Sequence, residues 1–92
     1  MPEYRIFETE QFQEDLRRLS RSGQSRIVEK LRSVVYPQLA GHPHFGPNLK
    51  KLRGYEPETW RFRIGAWRFF YEIDERRAVV LLTAASHRSS AY

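Results

Sequence analysis

The 92-residue chain contains no cysteine. Disulfides, thiolate metal centres, redox motifs and cysteine nucleophiles are therefore excluded together. No apolar run approaches the roughly 18 residues of a membrane-spanning helix. The opening Met1-Pro2-Glu3-Tyr4-Arg5 has no basic stretch leading into an apolar one. A cytoplasmic protein without membrane contact is the expectation. Histidine is scarce, at three residues. His42 and His44 stand in a Gly- and Pro-dense loop, and His87 is far away in the sequence, so no metal or other cofactor is expected. Internal repeats and low-complexity tracts are also missing.

What is present suits one small domain over residues 1–92. Apolar residues make up 40% and aromatics 14%, enough for one core and too much for a disordered tail. The net charge of +5 is uneven: residues 1–46 carry seven basic and six acidic side chains, and residues 47–92 carry nine and five. Of the sixteen basic residues, thirteen are arginine, the side chain suited to bidentate phosphate contacts. A polyanion is the natural partner of the C-terminal half.

Residues 4–8 read as a first strand. Thr9 is placed to cap a helix that carries Phe12, Leu16 and Leu19 at i, i+4 and i+7. Ser22-Gly23 stops that helix. A second one starts near Gln24, with Ile27, Val28, Leu31, Val34 and Val35 on its buried face, and ends near Tyr36 or one turn later, because Pro37 interrupts the hydrogen-bond ladder. After the loop at 41–48 and the basic run Lys50-Lys51-Leu52-Arg53-Gly54, the apolar period changes to two. Trp60, Phe62 and Ile64 form one strand, and Trp67, Phe69, Tyr71 and Ile73 form the next, joined by Gly65-Ala66 as a two-residue turn. Asp74-Glu75-Arg76-Arg77 makes the following turn. Ala78–Ala85 is nearly all apolar, as expected of an interior strand covered on both faces. The order is β-α-α-β-β-β, an α+β fold with a two-helix hairpin on one face of a small antiparallel sheet.

The Gly65-Ala66 turn sets a register of Ile64 opposite Trp67, Phe62 opposite Phe69, and Trp60 opposite Tyr71. On the other face Arg63 then stands across from Arg68, and Arg61 beside Phe70, with Glu72 two residues further along. Like charges directly opposite one another are destabilising, so these are either ordinary solvated charges on the open face of a half-covered sheet or a guanidinium cluster aimed at phosphate. If the Asp74–Arg77 turn has an even number of residues, Thr83, Ala85 and His87 share the face of Arg68. His87 would then serve as proton acceptor or donor.

The run Lys51-Leu52-Arg53-Gly54, then Trp60-Arg61-Phe62-Arg63-Ile64-Gly65-Ala66-Trp67-Arg68-Phe69-Phe70-Tyr71-Glu72-Ile73-Asp74, and finally Ser86-His87-Arg88-Ser89-Ser90-Ala91-Tyr92, resembles the RelE/ParE superfamily of toxins, closest to its RelE-like mRNA interferase branch. The resemblance spans essentially the whole chain. It implies the toxin of a type II toxin-antitoxin system, held inactive by a cognate antitoxin in a hetero-oligomer. The activity implied is ribosome-dependent, metal-independent cleavage of mRNA by attack of a ribose 2′-OH on the scissile phosphate. Arg61, Arg63 and Arg68 match the basic strand residues, and His87, Arg88 and Tyr92 match the closing basic and tyrosine positions. Lys50, Lys51 and Arg53 are expected to bind RNA. One departure matters: many relatives carry lysines where Arg61 and Arg63 stand, and a guanidinium does not give up its proton. The acid/base burden is thereby moved toward His87. The alternative is a non-catalytic inhibitor of DNA gyrase, like the ParE branch.

Overall fold

The computed structural model describes residues 3–89, so Tyr92 lies outside the described residues. Strand β1 (Arg5–Glu8) leads into helix α1 (Glu10–Arg21). The Thr9 hydroxyl accepts from the Phe12 amide at 3.1 Å, the N-cap expected of it. Phe12, Leu16 and Leu19 are buried. Helix α2 (Ser25–Lys30) runs through a π-helical turn at Leu31–Val35 into α3 (Tyr36–Gly41).

The second rod therefore passes Pro37 and ends about one turn later, the longer of the two expected ends. In the widened turn the Tyr36 amide reaches back to the Leu31 carbonyl, and the proline sits in the first turn of α3, where its missing N–H is tolerated. The wider turn also rotates the apolar face. Val28, Leu31, Val35 and Leu39 are buried, while Val34, expected inside, is about half exposed.

The sheet has five strands in the order β1-β5-β4-β3-β2, adding β2 (Leu49–Lys51), β3 (Trp60–Ile64), β4 (Trp67–Asp74) and β5 (Val79–His87). Two features correct the sequence expectation. The sheet is mixed, because β1 pairs parallel with β5. The long chain between them supplies the connection a parallel pair requires. The basic run also contributes a short edge strand, β2, antiparallel to β3.

The β3–β4 register is the expected one in all its pairs. Its turn needs Gly65, whose φ of 58° suits glycine. Phe62, Ile64, Phe69, Tyr71, Val80 and Leu82 face the helices and complete the core. Strand β5 is interior, but it is not covered on both faces. Val80 and Leu82 are buried, whereas Val79 and Leu81 on the opposite side are only half-buried. No helix of the described chain is long and apolar enough to cross a membrane.

Candidate functional site

The helices cover one face of the sheet, and the other face collects the charge. Alternation along β3 puts Arg61 and Arg63 on the open face, and alternation along β4 puts Arg68, Phe70 and Glu72 there. Arg63 is the direct partner of Arg68, and Arg61 of Phe70. Partners in an antiparallel pair stand about 4.5–5.5 Å apart at Cα. Strand β2 adds Lys50, which pairs with Arg61 and is exposed. Three adjacent strands thus bring Lys50, Arg61, Arg63 and Arg68 onto one surface. Arg63 is exposed and makes no ion pair among the described residues.

Lys51 goes elsewhere. It pairs with Trp60, on the helix-side face, and its ammonium meets the Glu58 carboxylate at 2.9 Å. That hydrogen bond holds the Glu58 carboxyl below its usual range. Arg53 is exposed in the loop between β2 and β3.

The position of His87 corrects the parity expectation. The turn between the paired residues Asp74 and Val79 does contain an even number of residues. However, the β4–β5 ladder shifts register between Phe70 and Tyr71. Tyr71 pairs with Leu82 and Phe70 with Ala84, leaving Thr83 as the extra residue. A bulge of one residue reverses the facing of everything beyond it. Arg68 therefore pairs with Ser86, and His87 pairs with Trp67 on the helix-side face. The His87 ring meets the Trp67 ring edge-on at 5.0 Å.

The Ser89 amide donates to His87 Nδ1 at 3.2 Å, so a neutral ring keeps its proton on Nε2. The next residue, Arg88, is anchored at the hairpin tip by its amide, which donates to the Ala66 carbonyl at 2.7 Å. That is the end of the sheet where Arg63 and Arg68 lie.

The bulge is tied down from two sides. The Thr9 hydroxyl donates to the Thr83 carbonyl at 3.2 Å, and the Ala85 amide donates to the Asp15 carboxylate at 2.9 Å. A backbone group displaced from the ladder thus finds a partner on α1. On the open side the bulge borders an apolar hollow of about 440 Å³, floored by Phe70 and flanked by Tyr55. Sequence reasoning did not find this hollow. Phe70 was visible as the one aromatic residue out of phase with the apolar set, but the bulge that opens space above it was not.

A second cluster lies at the far end of the sheet. Glu75 accepts from the Tyr4 hydroxyl at 2.6 Å and meets His44 Nε2, and these contacts keep its carboxyl below the usual range. Together they fasten the 41–48 loop to the β4–β5 turn. The Tyr71 hydroxyl donates to the Pro43 carbonyl at 2.8 Å beneath that loop, and burial pushes its pKa up. Among the described residues, no group of three or more His, Asp or Glu side chains is arranged to hold a metal ion.

The sequence model of the ParE toxin of type II toxin-antitoxin systems matches residues 6–92. No curated protein matches. Among solved structures, a RelBE2 toxin-antitoxin complex from Mycobacterium tuberculosis superposes with a TM-score of 0.71 at 26% identity, covering 98% of this chain and 97% of that one. An archaeal RelE-RelB complex from Pyrococcus horikoshii gives 0.68 at 23% identity, with 99% and 100% covered. The isolated RelE toxin of Escherichia coli gives 0.65 at 20% identity, with 96% and 87% covered.

Proposed function

The chain belongs to the RelE/ParE superfamily of type II toxins, and from that premise we propose that it cleaves mRNA on the ribosome. The observation that carries this reading is the convergence of Lys50, Arg61, Arg63 and Arg68 on the uncovered face of three adjacent strands. Packing does not call for Arg63 directly opposite Arg68, and like charges placed so repel one another. An anion lying across them relieves that repulsion.

In the reaction the ribose 2′-oxygen bonds to the neighbouring phosphorus and the bond from phosphorus to the 5′-oxygen breaks. The 2′-OH proton passes to a base, and the departing 5′-oxygen takes up a proton. The arginines hold and neutralise the phosphate as its charge grows in the transition state. They do not move protons. Lys50 is the backbone partner of Arg61 across the β2–β3 pair, and we assign it the proton delivered to the leaving oxygen. Arg88, at the hairpin tip, contacts RNA at the rim of the site, whereas His87, on the helix-side face, takes no part in the proton transfers. Tyr92 retains the base-orienting role that the resemblance implies. No step calls for a metal or other cofactor.

The toxin-antitoxin complex among the similar structures supports a cognate antitoxin as partner. Primer extension on programmed ribosomes tests the reading. Cleavage by the wild type should fall about 10²–10³-fold in Arg68→Ala, the usual cost of losing one transition-state donor. Intact message at stoichiometric protein sinks it.

A second reading, inhibition of DNA gyrase without catalysis, is favoured by the turning of His87 away from the arginines and by the ParE family match. A gyrase supercoiling assay separates the two, since a nuclease acting on ribosomes leaves supercoiling unchanged.

A further inference from the structure

We propose that the hollow between Phe70 and Tyr55 receives one unstacked nucleobase of a single-stranded RNA whose phosphates lie along Arg61 and Arg68. This subsite rests on the reading of the open face as an RNA surface. Phe70 is the cross-strand partner of Arg61 on one side and of Ala84 on the other. Its ring is therefore the floor between the basic strand and the bulge. Thr83 and Ala84 oppose Phe70 where a regular ladder would place one residue, and both are small, so the bulge leaves a depression beside the ring. Tyr55, on the loop between β2 and β3, forms a wall and is about half exposed.

The lining selects the chemistry of the occupant. Tyr55, Thr59, Phe70, Thr83, Ala84 and Ser86 border the hollow, and none of them is charged. The threonine and serine hydroxyl protons are already committed. Thr59 donates to the Pro57 carbonyl at 2.9 Å, Thr83 to the Phe70 carbonyl at 3.3 Å, and Ser86 to the His87 carbonyl at 3.3 Å. The hollow thus presents flat apolar surface and few donors to read a base edge.

Arg61 stands directly across from its floor, and Arg68 lies two residues along the same strand, about 7 Å away. A flat apolar group joined to an anion across such a distance describes a nucleotide. Stacking on two aromatic side chains tolerates any base, so the subsite holds the strand without fixing its sequence.

The test uses a fluorescein-labelled, fully 2′-O-methylated hexaribonucleotide, which binds but cannot be cleaved, with anisotropy read against the whole protein in the absence of ribosomes. Tyr55→Ala should weaken binding about 5–100-fold, whereas Tyr55→Phe and Tyr55→Trp should stay within about 3-fold of the wild type. An abasic position in the oligonucleotide should weaken wild-type binding by a similar factor and add little to the Tyr55→Ala loss. If the wild type binds nothing, the subsite fails, while cleavage on programmed ribosomes decides the RNA reading of the face separately. If binding is lost in Arg68→Ala but unchanged in Tyr55→Ala, the subsite alone fails. Unchanged RNA binding by Tyr55→Ala with weakened capture of an acidic, apolar peptide would reassign the hollow to a protein partner.

Discussion

Phe69 and Tyr71 of β4 point into the helices and have no solvent exposure, while Arg68, Phe70 and Glu72 on the same strand point the other way. The two faces share backbone, register and rigidity, and they differ in what dictates each residue. On the helix side, space dictates it: a ring must fill the volume left by Phe12, Leu16 and Leu39, and any truncation leaves a void. On the open side packing dictates less: Phe70 is buried there, but nothing about volume requires Arg63 across from Arg68. The buried core cluster lies on the helix side of the sheet.

The sharpest break of that contrast is a pair of truncations on one strand. Phe69→Ala should cost about 3–5 kcal/mol in denaturant unfolding. Its neighbour Arg68→Ala should cost about 1 kcal/mol or less and yet lower cleavage about 10²–10³-fold. An Arg68→Ala variant as unstable as Phe69→Ala would erase the distinction between the faces.

Next in size is the seam between them, where Asp15 holds the Ala85 amide beside the bulge. Asp15→Ala leaves that half-buried amide unpaired, and chemical denaturation should report a loss of about 1–3 kcal/mol. Amide exchange measured along β5 should quicken first near Ala85. Smaller again is the N-cap: Thr9→Ala removes the acceptor for the Phe12 amide and should cost about 1 kcal/mol.

The smallest effect concerns pH at the far end of the sheet. Glu75 is held below the ordinary carboxylate value of 4.5 by Tyr4 and His44. A depressed carboxyl stabilises the fold above its unfolded value and loses that contribution as pH falls through the lower folded value. The carboxyl is largely exposed, so solvent screens the effect. Thermal melts of wild type and Glu75→Gln should differ slightly near pH 6 and converge as pH drops below 4.5. A gap that widened toward acid would contradict the assignment.

Much of this arrangement was legible in the residues. The period-two apolar pattern with Gly65-Ala66 placed every β3–β4 pair correctly, because slipping by one residue would turn Phe62 and Phe69 outward. Thr9, Phe12, Leu16 and Leu19 announced α1 for an equally local reason. The second rod was less legible. Proline normally ends a helix, and the π-helical turn that lets the chain pass Pro37, turning Val34 outward, leaves no mark in apolar spacing. Strand β2 is too short and too charged to show a pattern of its own.

By itself, the amino-acid sequence determined the β3–β4 hairpin, the arginines it lines up and the family to which the chain belongs. These rest on alternation and turn chemistry that act between near neighbours. Only the tertiary structure decided the parallel pairing of β1 with β5, the recruitment of Lys50 beside Arg61, and the facing of His87. A bulge arises where a strand must satisfy two partners at once, here β4 alongside and α1 above, and one extra residue at Thr83 is enough to carry the histidine across the sheet and open a hollow over Phe70.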